Sequence, residues 1–407
     1  MTDWGARAAA MLAQLSHLSE PGPGVTRLPF TPEHRAALHL LKEWMEAVGL
    51  AVTLDDAGTL VGRLDGPPGA GTFLMGSHQD SVREGGAYDG IMGVVLPLLA
   101  LEKLKAEGVA LTFAVEILAF ADEEGVRFPT ALVGSRALAG RFDNQVLDMC
   151  DANSVSLRTA MADFGLKPDA IGALKRDQDD VIGFLETHIE QGPVLEREEE
   201  AVGIVTAICG IERHQITVTG ETGHAGTLPM EGRRDALVGA AAIVAEANRI
   251  GIHVPDLRAT VGSLSVEPNV VNAVPHTVRL TAELRSPQDD TREAAGKMLR
   301  RFVRILADEM GLLIEWTRTY SQVAQPCSHD FAVHLERAVK QTGGRSVSLP
   351  SGATHDASAM ADLCPIAMLF VRCRNGASHR PDEFTAPEDM DTAIDVLARF
   401  LQITGRQ

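Results

Sequence analysis

Two stretches of this chain, LTFAVEILAFA (111–121) and IAMLFV (366–371), are nearly unbroken apolar runs. A strand with one wet face alternates apolar and polar residues, whereas a strand covered on both faces, as in a helix-flanked parallel sheet, can be apolar throughout. TFLMGS (72–77) and VIGFLETH (181–188) are further strand-like runs, and helical stretches separate several of these segments. One helix is legible in detail. In TPEHRAALHLLKEWMEAVGL, Thr31 is placed to cap the start, Pro32 takes the first helical position, Ala37, Leu41, Trp44 and Val48 fall at helical spacing, and Gly49 ends the run. AVTL and TLVGRL, around turn residues 55–58, read as a hairpin. The expected architecture is an α/β layer.

The segment from 211 to about 321 has another rhythm. ERHQITVTG alternates as a strand, RRDALVGAAAIVAEANRI is helical, ATVGSLSVE and TVRLTAELR are strands, DTREAAGKMLRRFVRILADEMG is a helix, and LLIEWTRTY is a last strand. This βαββαβ order matches the ferredoxin-like split unit. The α/β pattern resumes after it. We therefore expect a mixed-sheet α/β domain over 1–210 and 327–407, interrupted by a small ferredoxin-like domain over 211–326. A length of 407 residues accommodates two domains of this kind.

Charge and cysteine usage narrow the function. A formal net charge of −18 disfavours nucleic acid and anionic membrane as partners, since both call for a basic patch. The five cysteines are far apart and odd in number, so reduced, buried thiols of a cytoplasmic protein are expected rather than a disulfide framework. The N-terminal 20 residues lack the pattern of a signal peptide. The most apolar helical run, ALVGAAAIVA (236–245), is too short to span a bilayer and reads as a buried helix.

Four polar clusters follow four of the expected strands. His78, Asp80 and Asp89 lie in the glycine-rich GSHQDSVREGGAYDG, Glu123 and Glu124 follow 111–121, His188, Glu190 and Gln191 close VIGFLETHIEQ, and His379 follows 366–371. In open α/β sheets ligands bind beyond the carboxyl ends of the strands, so these loops can converge. Three imidazoles and several carboxylates cannot be buried together unpaired. A single zinc needs three or four protein ligands, whereas this set suits two divalent cations about 3.5–4 Å apart with one Asp shared between them. In the adjacent pair Glu123–Glu124, one carboxylate would be committed to a metal and the other free to act as general base. Asp80 is placed to orient the far ring nitrogen of His78.

These motifs, with GETGHAG, PNVVNAVP, ELRSP, SGATHDA and GASHRPDE, resemble the metallopeptidase M20 superfamily, specifically its hydantoinase/carbamoylase branch of N-carbamoyl-L-amino-acid hydrolases, β-ureidopropionases and allantoate amidohydrolases. The resemblance covers about 70–385, with the motifs in order. It implies that Asp89 bridges two metals, that His78 and His188 complete one site and Glu124 and His379 the other, and that Glu123 is the general base. It implies that the inserted domain is a lid and dimerisation domain whose His224 polarises the scissile carbonyl in the partner subunit's active site. It implies that Asn272 and Arg285 bind the substrate carboxylate, with Gln191 and the backbone at Gly352 and Ala353 holding the remainder, and that His355 and Asp356 orient substrate or a ligand. His188 in THIEQGP stands where the carboxypeptidase branch has an acidic ligand. Thr354 departs from the glycine common in the family and bears on the identity of the substrate.

The reading is a cytoplasmic, homodimeric amidohydrolase with two divalent metals per subunit (Zn, Mn, Co or Ni), acting on a ureido or N-carbamoyl group of a small carboxylate. The first choice is hydrolysis of an N-carbamoyl-L-amino acid to the amino acid, carbon dioxide and ammonia. The alternatives are an allantoate amidohydrolase or other N-acyl-amino-acid hydrolase, a dipeptidase or aminopeptidase, and a metal-free binding protein on the same scaffold.

Overall fold

The computed structural model describes residues 2–405 and divides into two compact units. The first comprises the chain up to Thr206, Cys327–Leu349 and the chain from Thr354 on; the second comprises Ala207–Pro326 with Pro350–Ala353. In chain order the first unit begins with α1 (Trp4–Ser16), α2 (Pro32–Val48), β1 (Ala51–Leu54), β2 (Leu60–Leu64), β3 (Thr72–His78), α3 (Met92–Ala106), β4 (Ala114–Phe120), α4 (Val133–Leu138), α5 (Leu157–Asp163), β5 (Val181–Ile189), α6 (Val194–Glu198) and β6 (Val202–Ile208). The second unit follows as β7 (Gly210–Thr219), α7 (Ala236–His253), β8 (Arg258–Thr260), β9 (Leu264–Glu267), β10 (Thr277–Ser286), α8 (Asp289–Met310), β11 (Leu313–Gln322) and β12 (Gln325–Pro326). The chain closes with α9 (His329–Gln341), β13 (Ser348–Ser351), α10 (Asp356–Met360), β14 (Ile366–Val371) and α11 (Pro387–Thr404).

The larger sheet is mixed, in the order β1-β2-β4-β3-β5-β14-β6, with β12 and β13 both paired to β6. Its centre, β4-β3-β5-β14, is parallel. Every residue of β3, β4 and β14 is buried, which is why their sequences hardly alternate. The one charged residue of β4, Glu116, is paired by Arg63 and Arg176, each at 2.9 Å. Helices α1, α3, α9 and α11 pack as one group and α4 with α10 as another. Helix α2 has the ends its sequence predicts: Thr31 Oγ1 accepts from His34 N at 3.3 Å, and Gly49 takes the left-handed C-cap.

The loop leaving β3 is held by a buried cation. Arg27, 2% exposed, donates from Nε to Gln79 O at 2.7 Å and from Nη1 to Leu15 O and Leu18 O at 3.0 and 3.2 Å. Burial lowers its pKa to about 10, against the opposing pull of Asp80, so it stays charged at neutral pH.

The second unit is a five-stranded sheet in the order β11-β7-β10-β8, with β9 also on β10, and its own core around Ile216, Ile243, Val278 and Leu299. ATVGSLSVE, expected as one strand, is two. Between the pairs Thr260↔Glu283 and Leu264↔Leu280, three residues face two, and Thr281 Oγ1 takes the amide of Ser263 at 3.1 Å. Helix α7, expected to be buried, is buried on one face only. Ala236, Ala240, Ile243 and Ala247 meet the sheet, whereas Val238 is 53% and Ile252 70% exposed, because nothing in the unit covers the outer side of its helices. The cysteine expectation also needs correction, since Cys150 is exposed; all five thiols are unbonded. No described helix is long and apolar enough to cross a membrane.

Replacing Arg27 by Met would remove the side-chain donor from the carbonyls of Gln79, Leu15 and Leu18, of which Leu15 O keeps the Leu18 amide. The expected outcome is a lower chemical-denaturation midpoint, equivalent to at least ~2 kcal/mol, accompanied by loss of bound metal as the 79–81 loop relaxes. Denaturation curves and metal analysis on the same preparation check both.

Candidate metal centre

Because β4, β3, β5 and β14 are parallel neighbours, their carboxyl ends share one edge of the sheet. His78 is the last residue of β3, Glu123 and Glu124 follow β4, His188 is the penultimate residue of β5, and His379 lies in the loop after β14. Asp89 comes from the loop between β3 and α3. Its Oδ1 is 3.1 Å from His188 Nε2 and 3.5 Å from His78 Nε2. Its Oδ2 is 3.5 Å from His379 Nε2 and accepts hydrogen bonds from Gln191 Nε2 at 2.9 Å and Ser378 Oγ at 2.7 Å. Glu124 Oε1 lies 3.6 Å from His379 Nε2, and Glu123 Oε2 lies 3.9 Å from His78 Nε2. Three groups of possible ligands result: His78, Asp89 and His188; Asp89, Glu124 and His379; and His78, Glu123 and Glu124, with the ligand atoms of each group within 4.8 Å of one another.

The glycines around Asp89 have a concrete use. Gly90 has φ +66°, and a Cβ there would meet the His78 ring at 2.3 Å. The imidazole therefore lies flat against bare backbone, next to the carboxylate it faces.

The ring tautomers follow from their partners. His78 Nδ1 is 2.9 Å from Asp80 O and His188 Nδ1 is 3.0 Å from Ile189 O. A carbonyl only accepts, so Nδ1 carries the proton in both rings, and the neutral rings turn their Nε2 lone pairs toward Asp89. A lone pair facing a carboxylate oxygen at 3.1–3.5 Å is repulsive unless a proton or a cation lies between them. Without a metal the protons do the work. Burial alone would lower His78 and His188, but the surrounding carboxylates, Asp89 first among them, outweigh it and raise both. Burial would raise Asp89, but His188 and His78 hold it well below the usual carboxylate range. Burial, reinforced by neighbouring carboxylates, pushes Glu124 up to about 8 and Glu123 well above its ordinary range, with His78 opposing in each case.

These residues fit divalent metal. Glu124 Oε1 is buried without a hydrogen-bond partner. Two donors on one ion at about 2.0–2.2 Å stand about 3.3–3.6 Å apart in tetrahedral geometry, close to the separations of 3.1–3.6 Å found here. Nitrogen and carboxylate donors of this kind suit Zn, Mn, Co and Ni alike.

Other residues take roles different from the expected ones. The carboxylate of Asp80 does not orient His78: it lies 3.7 Å from Nδ1, and the backbone carbonyl of the same residue makes that contact. The carboxylate instead accepts the amides of Glu123 and Glu124 at 3.1 and 3.2 Å and so fixes the turn carrying both acids. The amide nitrogen of Gln191 is engaged by Asp89 and Ser378, leaving its Oε1 as the atom without a partner. Glu190 caps α6, accepting Val194 N at 2.6 Å and Leu195 N at 2.9 Å. His355, expected to orient substrate or a ligand, is 1% exposed and packs edge-on against His188 with ring centroids 4.6 Å apart, on the ligand side of that expectation. Burial, with His188 adding to it, holds His355 neutral. Thr354, just before it, is half-buried.

His224, Asn272, Arg285, Gly352 and Ala353 belong to the second unit. There His224 is exposed, its Nδ1 accepts Gly226 N at 3.2 Å, and it bridges Ala273, beside the exposed Asn272. Arg285 is not free: Nε donates to Glu283 Oε1 and Nη1 to Gly352 O, both at 2.6 Å. Ala353 N donates to Ser351 Oγ at 3.2 Å.

Three contributors were missed in the sequence. Ser378 touches Asp89, and its adjacency to His379 was the available signal. Glu383 accepts the amides of Tyr88 and Asp89, both at 2.9 Å. Glu186, two residues before His188, takes Ser77 Oγ at 2.6 Å and Ala357 N at 2.7 Å, tying α10 to β5.

Peptidase family M20/M25/M40 matches residues 74–403. The chain is 39% identical to an N-carbamoyl-L-amino acid amidohydrolase of Geobacillus stearothermophilus, covering 97% of both sequences. It is 34% identical to an allantoate deiminase of Arabidopsis thaliana, covering 97% of this chain and 81% of that one. A solved structure of an amidase of the hydantoinase/carbamoylase family from Burkholderia multivorans superposes with a TM-score of 0.93 at 32% identity, covering 99% of this chain and 98% of that chain.

The raised acids make metal uptake a proton-releasing event. A Glu124 pKa of about 8 means the metal-free carboxyl is mostly protonated at pH 7, and it must ionise to bind a cation. Apparent affinity should therefore rise with pH through about 8, where Glu124 ionises, and go on rising while the raised His78 and His188 lose their protons. Calorimetric titration with zinc at pH 7, in buffers of different ionisation enthalpy, should show protons released; a heat independent of buffer would contradict the assignment.

Proposed function

The chain belongs to peptidase family M20/M25/M40, a metal-dependent family, and as a hydrolase of amide C–N bonds we propose that it acts on the N-carbamoyl group of an L-amino acid. The observation that carries the reading is Asp89, with one oxygen turned to His78 and His188 and the other to His379. The 39% identity to an enzyme named for this reaction supports the substrate class. Allantoate is the second reading, supported by relatives such as the Bacillus subtilis allantoate amidohydrolase at 35% identity.

His78, Asp89 and His188 would hold one divalent ion and Asp89, Glu124 and His379 a second. When bound, the pair supplies Lewis-acid polarisation of the carbonyl and a lowered pKa for water. Glu123, next in the chain to Glu124 and held by Asp80 through its amide, takes the proton from the attacking water and passes it to the leaving nitrogen. One water and R–NH–CO–NH2 give R–NH2 and carbamic acid, which falls to carbon dioxide and ammonia. Neutral His224 accepts the Gly226 amide at Nδ1, so its remaining proton sits on Nε2, where it can donate to the carbonyl oxygen as negative charge develops. Arg285 and Asn272 bind the substrate carboxylate. The guanidinium fork, now turned to Glu283 and the Gly352 carbonyl, suits two carboxylate oxygens better than one carbonyl. Gln191 Oε1 and the Gly352–Ala353 backbone receive the rest of the molecule.

We read the second unit as the ferredoxin-like lid and dimerisation domain, with His224 serving the partner subunit. The exposed apolar side of α7, with Leu237, Val238 and Ile252, supports a covered face in the dimer. Sedimentation should find a dimer, and Val238→Glu should yield monomers of reduced kcat; an active wild-type monomer would count against the domain assignment.

A metal-loaded product screen decides between the substrate readings. N-Carbamoyl-L-amino acids should show a higher kcat/KM than allantoate, N-carbamoyl-β-alanine, N-acetyl amino acids and dipeptides, and a dipeptide preference would overturn the proposal. In the same assay Glu123→Gln should lower kcat by about 10²–10⁴-fold while metal content is unchanged.

A further inference from the structure

Among the described residues, Glu383 is the side chain that accepts the backbone amide of Asp89. It is 5% exposed, and its single Oε1 accepts two consecutive backbone amides, those of Tyr88 and Asp89, each at 2.9 Å. The backbone opposite is cut to fit it. A Cβ on Gly86 would lie 2.2 Å from both Cδ and Oε1 of Glu383. Glu383 also stands in the loop of His379, and its own amide donates to Arg380 O at 3.2 Å. It therefore ties two loops almost three hundred residues apart in sequence, at the point where Asp89 Oδ2 and His379 Nε2 stand 3.5 Å apart.

We propose that Glu383 is a positioning residue that sets the Asp89 carboxylate against His379 and so fixes the spacing of the ion they would share. The inference rests on the proposed metal site. Its chemistry is that of an outer hydrogen-bond partner. Two bonds from neighbouring amides to one carboxyl oxygen fix both the position and the tilt of the peptide plane from which the Asp89 side chain departs. A carboxylate that reaches two ions tolerates less angular freedom than one that serves a single ion, because both oxygens must stay in place. Ser378 and Gln191 hold the oxygen end of Asp89; Glu383 holds its backbone end.

The test measures zinc affinity by competition with a chromophoric chelator, on protein whose fold is verified by circular dichroism, together with the absorption spectrum of the cobalt-loaded form. Glu383→Ala should weaken one of the two ions by about tenfold or more and alter the cobalt bands. Glu383→Gln retains an acceptor oxygen for both amides and should restore affinity to near wild type. Gly86→Ala, which leaves the carboxylate present but pushes it off its amides, should reproduce the alanine defect and carries the test where Glu383→Ala does not fold. Wild-type affinity for both ions in folded Glu383→Ala or Gly86→Ala overturns the inference, as does a glutamine variant no better than alanine. A wild-type protein that binds no zinc would instead remove the metal reading and this inference with it.

Discussion

The arrangement depends on one buried carboxylate that faces three imidazoles. Asp89 is 7% exposed, and its Oδ1 looks at the Nε2 atoms of His78 and His188, whose lone pairs, in the neutral rings, would repel it. Such a contact exists only if something positive lies between. Protons can serve, at the cost of charged rings in a desolvated pocket. Divalent cations serve better, because they turn the same lone pairs and oxygens into ligands. The neighbouring acids follow the same logic. Burial drives Glu123 and Glu124 toward their neutral forms, and a local positive charge is what returns them to carboxylates.

Holding like-charged and repelling groups together requires a stiff frame, and the fold provides it at three depths. Parallel strands bring the ends of β3, β4, β5 and β14 to one edge, so residues scattered from 78 to 379 begin close together. Hydrogen bonds from ring Nδ1–H to backbone carbonyls then select the tautomers of His78 and His188. Below these, Arg27, Asp80, Glu186 and Glu383 tie loop backbones to each other, each taking up amides, carbonyls or hydroxyls that would otherwise be buried unpaired.

The second unit has a different economy. Its sheet and two helices form a separate core, and its loops present His224 and Asn272, and the end of β10 Arg285, without burying them deeply. Groups that meet a substrate must be able to exchange their partners. Arg285 on the Gly352 carbonyl and Glu283 is in that condition, whereas Asp80 or Glu383, buried on backbone amides, is not.

Local chemistry in the sequence determined the α/β layer, the buried strands, the ends of α2 and the ligand types, because apolar periodicity, capping residues and His/Asp/Glu after strands are all written within a few neighbouring positions. The resemblance carried by GSHQDSVREGGAYDG, FADEEG and THIEQGP extended this to which acid goes with which histidine. Other features had no local signature. The break of ATVGSLSVE into two strands depends on the register of β10, and the open side of α7 on the lack of a second layer. That the carbonyl rather than the carboxylate of Asp80 meets His78, and that His355 supports His188, depends on side-chain directions set by strands elsewhere in the chain. Glu383 is the plainest instance: nothing near it in sequence reveals its partners, because they lie in a loop that only the parallel sheet brings within 2.9 Å.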